Sequence, residues 1–208
     1  MTRDQIPETE SNVPCMQFIH EINARLGITP GHNLILNLNQ MMRHNKKSPR
    51  NILSLAAIYY TSNLEFYLPI QHLLGFCESA ENRFSIHRKF VKIWLRSGLD
   101  PPCDNVQFII DFVISRIFIP PKISREITQI MSVIKNGLEN LSGPNLKLPV
   151  LTCMAFSIYK QTSSRCEEIC ELLHVSKNIV KKNISFVMCS KQIVCDLNHF
   201  GVCADTIH

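Results

Sequence analysis

The segment from Ser176 to Lys191 contains the residues with the clearest potential for binding chemistry. It has no acidic residue, and its polar side chains recur at the spacing of one helix face: Asn178, Lys181, Lys182 and Ser185. The opposite side collects Val180, Ile184, Val187 and Met188, with Ile179 and Phe186 flanking them. Asparagine pairs with adenine edges, and lysine binds guanine or phosphate. This pattern therefore predicts either a DNA-binding face or the ordinary solvated side of a packed helix.

The residues before this segment predict the other half of a helix-turn-helix. The sequence CEEICELLHVSKNIVKKNISFV indicates a short helix from Cys166 to Leu173, a tight turn at His174-Val175, and a second helix capped by Ser176. In proteins with this motif the second helix can enter the major groove of DNA. The lysines therefore lie on the helix that would contact DNA if this segment is such a motif.

Sequence motifs for catalysis are absent. There is no glycine-rich phosphate loop and no Gly-x-Ser-x-Gly motif, and His20-Glu21 is followed by Ala24 where a metalloprotease helix needs its second histidine. We therefore expect a protein that is not an enzyme and has no cofactor. A weak zinc candidate lies in the tail, where four residues have ligand chemistry at plausible intervals: Cys195, His199, Cys203 and His208. The alternative is a tail with thiols and histidines scattered by chance.

Composition and charge narrow the class of protein. The 208 residues are 45% hydrophobic and 19% charged, which is enough for a core, and the longest apolar stretch (106–119) is shorter than the ~20 residues of a membrane span. Nine cysteines without an export signal predict reduced thiols in an intracellular compartment. Basic residues cluster in three groups, at 43–50, 83–96 and 177–191. Such groups are usually solvated faces, but three of them on a repeated architecture shift the interpretation toward a polyanionic partner.

Helical periodicity dominates the chain from Pro14 and repeats once. Residues 1–13 are predicted to be a flexible lead. Five helices are predicted in residues 14–98 and five more in residues 103–191, with a proline-glycine break between the two groups. The apolar runs Ser54–Ser62 and Leu148–Lys160 are each predicted to be a central, surrounded helix. The fold class is therefore all-α with two tandem five-helix domains, and residues 192–208 are predicted to be a loose tail.

Several of these stretches resemble a known family. The second repeat, through LPVLTCMAFSIY (Leu148–Tyr159) and RCEEICELLHVSKNIVKKNISFV (Arg165–Val187), resembles the second cyclin-like repeat of the transcription factor IIB family, which includes archaeal TFB and the Brf factors. The first repeat is similar to the family's first cyclin-like repeat through SPRNILSLAAIYY and ITP. The resemblance covers about residues 14–191.

The resemblance implies a nuclear factor that binds promoter DNA together with TATA-binding protein and brings in RNA polymerase. It places Asn178 and Lys181 at the positions that read DNA beside the TATA element, where the family has valine and arginine, so a different sequence preference is expected. It implies backbone contacts by Lys177 and Lys182. The basic fifth helix of the first repeat would provide a second DNA-facing surface, made of Arg83, Arg88, Lys89 and Lys92.

The chain departs from the family at two points. His174 replaces the family's turn glycine, and must accept a left-handed or distorted backbone. The N-terminal zinc ribbon and the reader segment are absent, so polymerase contact is expected from the cyclin-like repeats or another chain, or the chain is truncated. The alternative interpretations are a true cyclin-type module that docks a kinase or another partner through the first repeat, and a DNA-binding regulator that works without TATA-binding protein.

Overall fold

The chain folds entirely as helices in the part that the structure describes. The computed structural model describes residues 13–29, 33–77, 82–103, 105–141 and 143–200. These residues form eleven α-helices and no strand, with a helix content of 73%, so the predicted all-α class is confirmed. The chain divides into two compact units, Met1–Cys103 and Asp104–His208, and its helix content is compatible with two cyclin-like domains. Within the described ranges no helix is long and apolar enough to cross a membrane.

The first unit is built around a buried central helix. Its described helices are α1 (Val13–Leu26), α2 (Leu34–His44), α3 (Arg50–Glu65), α4 (Gln71–Leu74) and α5 (Arg83–Arg96). Helices α1, α2 and α5 all pack against α3. Every side chain of α3 from Leu53 to Ile58 is buried, as its apolar sequence predicts. The Ser54–Ser62 run is therefore the core of this unit.

Aromatic packing and a polar clamp fix α5 in the first unit. The indole of Trp94 is fully buried, donates its Nε1–H to the Ala56 carbonyl at 3.2 Å, and stacks on the Tyr59 ring with centroids 5.9 Å apart. At the end of α2, the buried Asn45 side chain donates to the Ile93 carbonyl at 3.3 Å and to the Ser97 hydroxyl at 3.0 Å. These contacts hold one side of α5 against the core and leave its basic side outward.

The second unit has its helices in the same order as the first unit, around a buried central helix. Its described helices are α6 (Val106–Arg116), α7 (Ser124–Asn140), α8 (Leu148–Ile158), α9 (Cys166–Leu172), α10 (Lys177–Met188) and α11 (Lys191–Asn198). Helices α6, α7, α9 and α10 pack against α8, whose residues Leu151–Phe156 are all buried. The first five helices of this unit thus match the five of the first unit, with α8 in the place of α3.

Helix α11 corrects the prediction of a loose tail over residues 192–198, whereas residues 201–208 of that predicted tail lie outside the described residues. Its side chains Ile193 and Leu197 are buried, and it packs against α7 and α10. The contact with α7 depends on Gly137, because a Cβ at this position would lie 2.5 Å from Ile193 Cγ1. The Ser190 hydroxyl begins the helix by accepting the Ile193 amide at 3.5 Å. The sequence pattern did not predict this helix, because eight residues are too short a segment to show a clear helical period.

A second correction concerns the outer side of α5. The apolar residues of the predicted fifth helix, Phe84, Phe90, Val91, Trp94 and Leu95, are expected to point inward. For Phe84 and Leu95 this is wrong, because they are 55% and 58% exposed. Phe90 and Trp94, which were also predicted inward, are fully buried. The exposed pair lies outside the buried side of the helix, on the face that also presents exposed basic side chains. Helix α5 therefore has more apolar side chains than its core-facing side buries.

Candidate nucleic-acid interface

The predicted helix-turn-helix is formed by α9 and α10 and a four-residue turn. The turn runs from Leu173 to Ser176, and Leu173 is buried. His174 has a φ of +51°, so the left-handed backbone expected at this position is confirmed. The turn closes with a hydrogen bond from the Val175 amide to the Cys170 carbonyl at 2.8 Å. Both helices pack against α8, which sets their placement.

Helix α10 is divided between a buried side and a polar face. Val180, Ile184 and Val187 are buried, and Met188 is half-buried. The four residues of the polar face, Asn178, Lys181, Lys182 and Ser185, are all exposed. The predicted separation of the two sides is therefore correct, and the four side chains lie together on the surface of the second unit.

Three of the four side chains of the polar face are uncommitted within the described structure. The Ser185 hydroxyl donates to the Lys181 carbonyl at 3.0 Å. The Asn178 amide and the Lys181 and Lys182 ammonium groups make no hydrogen bond or ion pair with any residue that the structure describes. An amide with two donors and an acceptor, next to two unpaired cations, can bind both base edges and phosphates.

Lys177 has a different role from the other lysines of α10. It is half-buried, and its ammonium forms an ion pair with Glu167 of α9. The pair offsets the unfavourable position of a cation in the first turn of a helix and joins the two helices of the motif. The family resemblance implies a backbone contact for Lys177 and gives no sign of this ion pair, because the two residues are ten positions apart across a turn.

Arg165 neutralises a second glutamate of α9. Its Nε and Nη2 lie 2.7 and 2.6 Å from Oε2 of Glu168, and its Nη1 donates to the Ile117 carbonyl at 2.6 Å. The side chain thereby ties the start of α9 to the end of α6. Of the three glutamates on α9, Glu167 and Glu168 are ion-paired, which leaves Glu171 as the one without an ion pair to a described residue. The negative charge beside α10 is therefore mostly compensated.

The second predicted surface lies on α5 in the first unit. All four of its predicted residues are exposed: Arg83, Arg88, Lys89 and Lys92. The helix has no acidic residue and begins with the Asn82 side chain accepting the Ser85 amide at 3.0 Å. The Arg83 guanidinium lies 4.8 Å from the centre of the Phe84 ring. The structure thus places a dense positive face with an exposed aromatic ring on this unit.

A group of three thiols lies where α9, the first helix of the helix-turn-helix, packs against α8. The Ser157 hydroxyl donates to Cys166 Sγ at 2.8 Å. The hydrogen bond with the Cys170 thiol is the main cause, and burial the second, of a pKa of Cys166 far above its usual range. A hydrogen bond with the Cys153 thiol, together with burial, raises the pKa of Cys170 to about 12. These thiols are therefore packing groups at neutral pH rather than nucleophiles.

The weak zinc candidate is only partly described. Cys195 and His199 are exposed at the end of α11, whereas Cys203 and His208 lie outside the described residues. Among the residues that the structure does place, no group of three histidine, cysteine or acidic side chains is arranged to hold a metal ion. The four-residue set remains a prediction.

Comparison with known proteins leaves the surface geometry as the main guide to function. No protein-family model matches the chain, and no curated protein matches its sequence.

Proposed function

We propose that this protein is the DNA-binding core of a transcription initiation factor of the transcription factor IIB type. The observation that carries the proposal is the polar face of α10, on the second helix of a helix-turn-helix. Here an amide and two lysines have no partner among the residues that the structure describes. No acidic residue lies between Ser176 and Lys191 to oppose a phosphate backbone. The similarity of the second repeat to that family supports the same assignment.

The proposed mechanism is non-covalent. Lys181 and Lys182 displace condensed counterions from DNA phosphates, and the exposed residues of α5 provide a second positive surface. Asn178 contributes contacts to base edges within the major groove. Binding of this kind weakens steeply as the salt concentration rises, because each phosphate contact releases counterions.

The proposed partners follow from the resemblance to the family. Promoter DNA held by TATA-binding protein is the proposed target, in the nucleus, with recruitment of RNA polymerase as the downstream step. The exposed lysines and arginines supply affinity for the duplex, whereas TATA-binding protein selects the place on the promoter. We therefore expect TATA-binding protein to increase the affinity of this chain for a TATA-containing duplex.

A gel-shift assay on such a duplex, with and without TATA-binding protein, tests the proposal. The double variant Lys181→Glu/Lys182→Glu is expected to abolish the shift while the circular dichroism of the helices is unchanged. A charge-matched control, Lys122→Glu/Lys160→Glu, changes two exposed residues of the same unit outside α10 and is expected to keep the shift. Unchanged binding by the first variant would refute the proposal.

A cyclin-type docking module is the second candidate, and the exposed apolar residues of α5 favour it. Phe84 and Leu95 are each more than half exposed, and large apolar side chains on a surface often mark a protein contact. In this case the substitution Phe84→Ser/Leu95→Ser would prevent capture of a protein partner, such as a kinase. A pull-down with a kinase in the absence of any DNA shift would favour this function over the first.

A further inference from the structure

An apolar edge borders the polar face of α10. Ile179 is 49% exposed and Phe186 is 44% exposed, and residues seven positions apart lie on nearly the same side of a helix. The two side chains differ in their surroundings. The Phe186 ring is partly covered, because its Cε1 lies 3.2 Å from the position that a Cβ on Gly143 would take. Ile179 is therefore the apolar residue of this edge that is more open to a ligand.

The position of Ile179 along α10 favours contact with bases. It is the third residue of the helix and follows Asn178, whose amide has no partner among the described residues. In helix-turn-helix proteins the N-terminal residues of the second helix contact base edges. Lys181 and Lys182 lie within the next turn, where they can hold the backbone on either side.

The chemistry of these two side chains matches one kind of base pair. In the major groove, the C5-methyl of thymine is the apolar group on the base edges, and adenine presents N7 and N6 to an amide. We infer that α10 selects A·T base pairs, with the Asn178 amide on adenine and the Ile179 side chain against the thymine methyl. This inference rests on the proposed function, in which α10 enters the major groove.

Removal of the thymine methyl tests the role of Ile179. Two duplexes with the same TATA element are compared in the presence of TATA-binding protein. The first has A·T-rich flanks. The second has uracil in place of thymine over about ten base pairs, one helical turn, on each side of the TATA element. The wild-type chain is expected to bind the thymine duplex about fourfold more tightly, the effect of burying one methyl group. Ile179→Ala is expected to bind both duplexes equally.

Leu141→Ala is the matched control, because Leu141 is 48% exposed in the same unit and does not lie on α10. It is expected to keep the fourfold preference for thymine. Equal binding of both duplexes by the wild-type chain would overturn the inference, and so would a preference that survives in Ile179→Ala. If either result is obtained while Lys181→Glu/Lys182→Glu still abolishes binding, the inference fails and the proposed function stands. If the wild-type chain binds neither duplex, both proposals fail.

A second substitution in the duplex tests Asn178. Replacing adenine in the flanks by 7-deazaadenine removes the N7 acceptor and leaves the thymine methyl in place. The wild-type chain is expected to lose about tenfold in affinity, whereas Asn178→Ala loses little further on the modified duplex. Equal losses for both chains would remove Asn178 from adenine recognition.

Discussion

Gly27 and Phe118 occupy the same place in the two units. Each follows the last turn of the first helix, with φ values of +62° and +52°. In both turns the next amide closes the helix end, from Ile28 to the Asn23 carbonyl at 3.0 Å and from Ile119 to the Ile114 carbonyl at 3.2 Å. Glycine adopts this backbone without strain, whereas phenylalanine does so at a cost and with its side chain 90% exposed.

Exchange of the residue type at these two turns is expected to change stability in opposite directions. Phe118→Gly should stabilise the second unit by about 1 kcal/mol, because it relieves left-handed strain and removes a ring with few contacts. Gly27→Ala should destabilise the first unit by about 1 kcal/mol through backbone strain alone, since no atom of a described residue beyond its chain neighbours lies within 4 Å of the added Cβ. Calorimetry of thermal unfolding measures both changes, as shifts of about 4 °C in the midpoint temperature. A loss of stability in Phe118→Gly would show that the ring has a packing role.

Gly137→Ala is expected to release α11 from the second unit. Alanine favours a helix by up to about 1 kcal/mol over glycine, but here the new methyl group would overlap Ile193. Amide hydrogen exchange between residues 193 and 197 should therefore become faster. In a background of Ile193→Ala the overlap is gone, and the same change should be neutral or stabilising. Additive effects of the two substitutions would contradict this contact.

Glu167→Gln is expected to strengthen DNA binding at low salt. The substitution frees the Lys177 ammonium for a phosphate and removes a negative charge beside α10. The slope of log affinity against log salt should become steeper by about 0.9, the value for one further phosphate contact. Glu171→Gln is the control, because it removes a charge from the same helix without releasing a lysine, and should leave the slope unchanged. A slope that does not change in Glu167→Gln would mean that Lys177 stays away from the backbone.

Alkylation should separate the cysteines by their environment. At pH 8 the pKa of about 12 leaves Cys170 with roughly one thiolate in 10⁴ molecules, and the raised pKa of Cys166 protects that thiol in the same way. Cys103, Cys189 and Cys195 are exposed and should react first with iodoacetamide. Peptide mass spectrometry at successive times gives the order. Modification of Cys166 as fast as Cys189 would show that the thiols between α8 and α9 are open to solvent.

The helices were largely predictable because their side chains repeat with a local period. The apolar runs of α3 and α8 and the two sides of α10 are visible within a few turns of sequence. The left-handed turn at His174 was predictable through the family resemblance, because this residue stands where the family has its turn glycine. Local patterns thus determine the element order and the residues of the polar face.

Two of the features that the sequence patterns did not predict depend on distant partners. Helix α11 is stabilised by a glycine more than fifty residues earlier, and the Lys177–Glu167 pair spans a turn whose geometry had to be known first. The strain at Phe118 had a usable signal, since the repeat aligns this residue with Gly27. The outward position of Phe84 had none, because an apolar residue on a basic helix is normally assigned to the core.

The indole of Trp94 gives the protein an asymmetric optical signature. It is the single tryptophan of the chain, and its ring lies among side chains of α3 and α5. Its emission therefore monitors the half of the molecule that carries the basic helix α5, whereas the half that carries α10 has no indole of its own. Ligand-induced changes in fluorescence would originate from the first unit, even if a duplex were bound mainly by the second.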